Sequence, residues 1–261
     1  MMSSPYDPGP PFEPTLQPRL PEAPDAEQPA SLSYPFWNWE DIALFFGLGL
    51  PCLVFSILLL EIVYLVVPGK PGGTLYFLIA QTIGYVLWFA SLYLLLRVRY
   101  DAPFLQSLAW TMPKDGFWRY VIQGPMLAFA VALLGVALRT PQVESPFKAL
   151  MSDRFAIMLV GLFGVSIGPL CEELAFRGFL MPVAVRSLGA VAGVILTSIP
   201  FALLHGPMYS WSWRHLLLLI LAGSAFGRVR IITGSTAAAV LTHATYNLTF
   251  FTAQIVQGPN P

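Results

Sequence analysis

Side chains able to do acid–base chemistry recur at a spacing of four in the apolar C-terminal half of the chain. Three pairs have this spacing: Glu173 with Arg177, Phe201 with His205, and His243 with Asn247. Residues at positions i and i+4 lie on the same face of a helix, so each pair can be presented to a single neighbouring surface. Carboxylate, imidazole and amide groups together can accept a proton, return it and stabilise a developing negative charge.

The adjacent carboxylates Glu172 and Glu173 differ in the partners that the sequence offers them. Glu173 and Arg177 share a helical face, and an ion pair between them would neutralise both charges in a medium that solvates neither. Glu172 is rotated by about 100 degrees around the helix and is left without that partner. An unpaired buried carboxylate is suited to act as a general base near neutral pH. The alternative is that both glutamates lie at the membrane–water interface and are simply solvated.

The two histidine-containing pairs have a catalytic and a structural interpretation. Pro200 bends the segment before His205 and a Gly-Pro sequence ends it, which places this imidazole at a helix terminus facing a cavity. His243 and Asn247 can direct two hydrogen-bond donors at one point, as a developing oxyanion requires. For His205 the alternative is a capping or packing role, and for the second pair it is hydrogen bonding between membrane helices.

Three further side chains are left out of the predicted site. His215 follows a Trp-x-Trp-Arg sequence at the start of an apolar run, a grouping typical of the headgroup belt. Cys52 and Cys171 lie inside apolar segments and are interpreted as small buried hydrophobic residues. A nucleophilic thiol at Cys171 is disfavoured because the neighbouring carboxylates and the apolar setting oppose the thiolate.

The composition predicts an integral membrane protein. Apolar residues make up 56% of the 261 residues and charged residues 11%, against about 25% charged in an ordinary soluble domain. Uncharged or nearly uncharged runs occupy residues 42–67, 74–96, 120–138, 155–170, 190–204, 216–226 and 235–256. A spanning helix needs about 20 residues, so the shorter runs must extend into flanking residues. We predict an all-α, polytopic bundle of about seven or eight transmembrane helices, with Gly168-Pro169 either kinking one helix or separating two.

Three segments of the chain differ in character. Residues 1–40 are rich in proline and acidic groups and have no apolar periodicity, which predicts a disordered tail. This tail lacks the basic start and apolar core of a cleavable signal peptide, so the first membrane helix is expected to direct insertion. Residues 41–150 are predicted to form N-terminal transmembrane helices. Residues 151–257 form a further group of transmembrane helices that contains every candidate site residue.

The charges exclude one class of partner and indicate an orientation. The chain carries 14 basic and 14 acidic residues, and no basic stripe exists that could follow a phosphate backbone, which argues against nucleic-acid binding. The larger basic group is Arg97, Arg99, Lys114, Arg119, Arg186, Arg228 and Arg230, and the opposing group is Lys70, Arg139, Lys148, Arg154 and Arg214. By the positive-inside rule this difference favours a cytoplasmic N terminus.

The strings around the three pairs resemble the motifs of a known family. They read Glu172-Glu173-Leu174-Ala175-Phe176-Arg177-Gly178, then Phe201-x-x-x-His205, then His243-x-x-x-Asn247. They are similar to the three signature motifs of the CPBP family, the CAAX-protease and bacteriocin-processing group of intramembrane proteases, which includes the Rce1-type prenyl endopeptidases and the Abi proteins. The motifs occur in the family order, and the helices before them carry no distinctive string.

The resemblance implies a reaction and roles for the candidate residues. Glu172 and His205 would activate a water molecule that attacks the scissile carbonyl of a membrane-associated protein or peptide. His243 and Asn247 would stabilise the oxyanion, and Glu173 with its arginine partner would organise the site. On this basis residues 151–257 are a CPBP-like catalytic core. That the electrophile is a peptide bond, with CAAX-type processing as one form of the reaction, comes from the resemblance alone.

The sequence leaves alternatives open both for the use of a metal ion and for the function of the protein. Members of the family are often described as metalloproteases, and Glu172, His205 and His243 could hold a divalent metal such as zinc with water in the fourth position. The chain has no His-Glu-x-x-His helix, and a water activated by Glu and His needs no metal, so metal-free chemistry is favoured. The alternative functions are a non-catalytic membrane scaffold or bacteriocin-immunity protein with a structural polar network, and a proton-coupled carrier, against which stands the absence of an internal sequence repeat.

Overall fold

Helices form every regular element in the part of the chain that the structure describes. The structure is a computed structural model, and it describes residues 33–143 and 153–257. We number the α-helices α1 (Trp39–Val66), α2 (Gly73–Leu94), α3 (Phe104–Ser107), α4 (Phe117–Ala137), α5 (Arg154–Val165), α6 (Ile167–Glu173), α7 (Met181–Leu188), α8 (Ala190–Leu204), α9 (Trp213–Thr233) and α10 (Thr236–Gln257). Two π-helical segments, Leu95–Arg99 and Leu174–Leu180, continue α2 and join α6 to α7. The predicted all-α class is confirmed, and residues 1–32 of the predicted tail lie outside the described residues.

Several of these helices are long and apolar enough to cross a membrane. Five such stretches occur within the described residues: Trp39–Val66, Gly73–Arg99, Phe117–Ala137, Arg154–Leu188 and Trp213–Thr233. The helix α8 is apolar but has only 15 residues, and α10 has 22 residues that include the candidate His and Asn. Outer apolar side chains such as Leu50 and Leu65 are 70% and 82% exposed, as expected of a surface that faces lipid. The chain is a multi-pass membrane protein with the predicted helical bundle.

The folded part of the chain begins earlier than the sequence predicts. Asn38 caps α1 by accepting backbone hydrogen bonds from its first turn, and Asp41 accepts the Asn38 N–H at 2.9 Å. The Asp41 carboxylate is fully buried and also binds Arg99 at 2.6 Å and Tyr100 at 2.5 Å. Burial and this hydrogen bond raise the pKa of Tyr100 to about 12, so the phenol stays a donor. Trp37 belongs to the tail predicted from the sequence, but its side chain is fully buried and packs in the hydrophobic core.

The stretch Arg154–Leu188 is one interrupted helix that carries both glutamates. The backbone breaks at Ser166, where φ is −119° and ψ is −74°, and α6 starts again at the next residue. Pro169 lies in the first turn of α6, where its missing N–H has no intrahelical role. The sequence left open whether Gly168-Pro169 kinks or separates helices, and the structure shows an interruption just before this pair. After the break the chain continues as a helix to Leu188, in agreement with a second helix that the sequence predicts from Leu170 to about Leu188.

Close approach of α10 to its neighbours depends on two glycines. This helix packs against α4, α5, α6 and α9 in the middle of the bundle. A Cβ atom at Gly124 of α4 would lie 2.0 Å from Oγ1 of Thr245. A Cβ atom at Gly161 of α5 would lie 1.9 Å from the ring of Phe251. Small residues of this kind let membrane helices pack backbone to backbone, which places the candidate residues of α10 close to those of α6.

Candidate active site

Three helices bring Glu172, His205 and His243 together. One carboxylate oxygen of Glu172 lies 3.9 Å from Nε2 of His205, and the other lies 3.8 Å from Nε2 of His243. The side chains of Glu172 and His205 are each 24% exposed, whereas that of His243 is 4% exposed. The two imidazoles therefore face the same carboxylate from different helices, and the group remains accessible from one side.

The second glutamate forms a buried pair with arginine, as its spacing predicts. Oε1 of Glu173 accepts a hydrogen bond from Nη1 of Arg177 at 3.0 Å. The same oxygen lies 2.8 Å from Nδ1 of His243. Oε2 of Glu173 is buried and has no hydrogen-bond partner among the described residues. Because Glu173 is fully buried, the alternative in which both glutamates are solvated at the interface is wrong for this residue.

Arg177 is held by polar and aromatic partners in the core. Its Nη2 donates to the carbonyl oxygen of Gly223 at 2.7 Å. Its guanidinium carbon lies 4.5 Å from the ring centroid of Phe201 and 5.6 Å from that of Phe226. Phe226 also stacks on the imidazole of His243 at a centroid distance of 4.4 Å. These contacts compensate a buried charge and fix the imidazole plane at the same time.

The end of α8 determines how His205 is presented. The helix ends at Leu204, and Nδ1 of His205 lies 2.9 Å from the carbonyl oxygen of Phe201, one turn earlier. This contact uses one ring nitrogen and leaves Nε2 to face Glu172. The predicted terminus for His205 is therefore present, and its capping contact coexists with the orientation toward the carboxylate.

Asn247 has a partner that the sequence does not indicate. Its Nδ2 donates to the carbonyl oxygen of Gly164 at 2.8 Å, across the gap between α10 and α5. The side chain also lines the cavity that contains Glu172 and both imidazoles. A primary amide has two N–H donors, so one remains for another acceptor.

A single large cavity contains these groups. Its volume is about 1380 Å³, and its wall includes the three acid–base residues and Asn247. Most of the remaining wall is apolar, and α1, α2, α4, α5, α9 and α10 all contribute to it. His215 also lines the cavity and stacks on Tyr209 at a centroid distance of 4.9 Å. The Trp-rich neighbours of His215 predict a position in the headgroup belt, and no local sequence pattern distinguishes that position from a cavity wall.

The same side chains can also be considered as metal ligands. In the stretches that the structure describes, no group of three or more His, Cys, Asp or Glu side chains is placed to hold a metal ion. The second nitrogen of each imidazole is already engaged, with Phe201 for His205 and with Glu173 for His243. Such engagement orients an imidazole in metal-free and metal-bound sites alike.

Comparison with protein families gives one match in the C-terminal part of the chain. Residues 154–249 match a family model described as type II CAAX prenyl endopeptidase Rce1-like. This segment is similar to that family. The match begins at the start of α5 and ends within α10, so the Rce1-like segment contains all six candidate residues, and the resemblance predicted from the motifs is confirmed. The family is one of proteases, which supports a membrane-associated protein as the substrate class. No curated protein and no solved structure matches the chain.

Proposed function

We propose that the protein is an intramembrane endopeptidase that hydrolyses a peptide bond of a membrane-associated protein or peptide. The observation that carries this proposal is the convergence of Glu172, His205 and His243 on one wall of a large cavity inside an Rce1-like segment. The apolar wall opposite these groups suits a substrate segment that enters from lipid. CAAX-type processing is the first form of the reaction to test.

Glu172 is the general base in this proposal. Its two carboxylate oxygens lie 3.9 Å from His205 and 3.8 Å from His243, which is too far for direct hydrogen bonds. In the proposal Glu172 and His205 together bind and activate the attacking water. Glu172 takes a proton from that water while the oxygen forms a bond to the scissile carbonyl carbon. The carbonyl π electrons move to oxygen and give the oxyanion. When the C–N bond breaks, the proton on Glu172 passes to the leaving amine.

The oxyanion donors follow from the bonds that His243 and Asn247 already make. Glu173 accepts a hydrogen bond from Arg177 through the same oxygen that faces His243, so the hydrogen between Glu173 and His243 is assigned to Nδ1 of the imidazole. A donor at Nε2 requires a second hydrogen on the ring, which the ring takes from solvent before the attack, so that His243 acts as an imidazolium and keeps this hydrogen through the reaction. The buried Glu173 carboxylate stabilises that imidazolium, as in other carboxylate–imidazole pairs. Asn247 supplies the second donor through its free amide hydrogen.

We further propose that the reaction needs no metal ion. The carboxylate and the imidazoles can hold and move the protons at the stated atoms, and no group of three or more such ligands is placed for a metal ion among the described residues. Cleavage by the purified protein should therefore persist after dialysis against a strong chelator. Loss of cleavage on chelation, restored by added zinc, would contradict this part of the proposal.

The experiment compares Glu172→Gln with Glu61→Gln in detergent-purified protein. Glu61 is a half-exposed residue of α1 that pairs with Lys70, far along the chain from the site. The substrate is a quenched fluorescent peptide with a farnesylated cysteine near its free C terminus. We expect the first variant to lose about 100-fold or more in kcat and the second to keep wild-type activity, with equal Tm values. Loss of folding in Glu172→Gln would support the scaffold function instead.

The orientation in the membrane is also proposed. The larger basic group of the chain lies at the end of the bundle that holds the N terminus of α1, where Arg99 binds Asp41 and Arg186 binds the carbonyl oxygen of Trp37. By the positive-inside rule this end faces the cytoplasm. The smaller group includes Lys148, which lies outside the described residues.

A further inference from the structure

The segment just before α1 lies against the half of the catalytic helix that follows Arg177. We name residues 34–38 the N-terminal strap. Within it, Nε1 of Trp37 donates to the carbonyl oxygen of Phe179 at 2.9 Å. The two rings stack at a centroid distance of 5.3 Å and an angle of 22°, and both are fully buried. The strap lies far outside the segment that matches the Rce1-like family.

Phe179 belongs to the π-helical segment that holds the buried ion pair. This segment, Leu174–Leu180, directly follows Glu173 and includes Arg177. π-helices are rare and occur mostly as single-turn insertions within α-helices, frequently at functional sites. Pro182 follows closely and has no N–H, so the turn has one backbone donor fewer than a regular helix. The Trp37 indole adds a donor at a carbonyl of this same turn.

Further contacts hold the strap in place on the other side of Trp37. Arg186 of α7 donates from Nη2 to the carbonyl oxygen of Trp37 at 2.9 Å and from Nη1 to that of Pro35. Arg230 of α9 donates to the hydroxyl of Tyr34 at 2.9 Å. The strap is therefore fixed to two helices before it meets Phe179, so Trp37 is a rigid support and not a mobile contact.

We propose that Trp37 is a positioning residue for the active site. It orders the π-helical segment, and through that segment it fixes Arg177 and Glu173, which in turn orient His243. Trp37 touches none of the reacting groups, so its effect belongs to turnover and not to substrate binding. The proposal rests on the proposed protease function for its kinetic part, whereas its structural part stands on the contacts alone.

The test compares Trp37→Phe with Trp39→Phe. The first change keeps an aromatic ring in the core and removes the hydrogen bond to Phe179. The second removes a bond from Trp39, which is 47% exposed, to the hydroxyl of Ser187 at 3.1 Å, outside the π-helical segment. Amide hydrogen exchange of residues 174–180 in purified full-length protein should be about tenfold faster in Trp37→Phe and unchanged in Trp39→Phe.

Kinetics provide the second measurement. With the farnesylated peptide, Trp37→Phe should lower kcat roughly tenfold or more with KM unchanged, and Trp39→Phe should match the wild type. Arg186→Gln, which loosens the strap without changing the core, should shift both measurements in the same direction. Unchanged exchange at residues 174–180 would overturn the proposal, and so would faster exchange with full turnover. If the wild type cleaves nothing, the proposed function fails, and exchange alone decides whether Trp37 orders the segment.

Discussion

Arg177 sets the strongest constraint on the site at the scale of single residues. Its side chain is 1% exposed, and removing an unpaired charge from solvent costs several kcal/mol. The first role of Glu173 is therefore to compensate the charge of Arg177, and its contact with His243 is a second role. The oxygen that binds Arg177 is also the one that binds His243, which couples the stability of the core to the orientation of an imidazole in the cavity.

This coupling predicts an asymmetric effect on stability. Glu173→Gln leaves the Arg177 charge uncompensated and should lower the free energy of unfolding by about 3–5 kcal/mol. The double variant Glu173→Gln/Arg177→Met removes both charges and should recover most of that loss. Unfolding by SDS titration of the purified protein measures both. Glu172→Gln is the control and should change stability by less than about 1 kcal/mol, because Glu172 has no such pair. Equal stability of the single and double variants would contradict the prediction.

At the scale of elements, helical spacing could predict contacts within one helix but not contacts between helices. The interval from Glu173 to Arg177 fixes a shared face, and the structure shows the ion pair there. The contact of Glu173 with His243 spans 70 positions and depends on how α10 packs, which no local pattern encodes. The burial of Trp37 has the same origin, since its partner Phe179 lies 142 positions away.

The two glycines that allow α10 to pack closely against α4 and α5 lead to a prediction about helix packing. Gly124→Ala would place a Cβ atom 2.5 Å from the backbone oxygen of Thr242, which cannot move without shifting α10. We expect a loss of about 1–3 kcal/mol or more in unfolding free energy, together with lower activity as His243 moves. Gly47→Ala in α1 is the matched control, because nothing lies within 4 Å of its added Cβ atom and alanine favours a helix. A Gly124→Ala protein as stable and active as Gly47→Ala would contradict this account of the packing.

At the scale of the whole molecule, the cavity and the larger basic group lie toward opposite ends of the bundle. The cavity extends from Glu172 to Gln142, Met208 and Gln254. Gln142 follows the end of α4, Met208 follows the end of α8, and Gln254 lies near the end of α10. The basic groups that bind the strap and Asp41 lie where α1 begins and α7 and α9 end. If the basic end faces the cytoplasm, the cavity mouth faces the other side of the membrane. A substrate would then present its cleavage site from that side. Cleavage of a prenylated tail in the cytoplasm would instead require the cavity mouth to face the cytoplasm.

Single cysteines at the two ends test this arrangement directly. In a background with Cys52 and Cys171 replaced by alanine, Gln142→Cys reports on the mouth and Lys114→Cys on the basic end; both positions are exposed. In intact cells a membrane-impermeant maleimide should label Gln142→Cys, and Lys114→Cys should react only after the membrane is permeabilised, because positively charged loops are retained in the cytoplasm. The opposite labelling pattern would overturn the proposed orientation and place the active-site cavity within reach of cytoplasmic CAAX-type tails. The labelling of these two single-cysteine variants thus determines from which side of the membrane a peptide can reach Glu172.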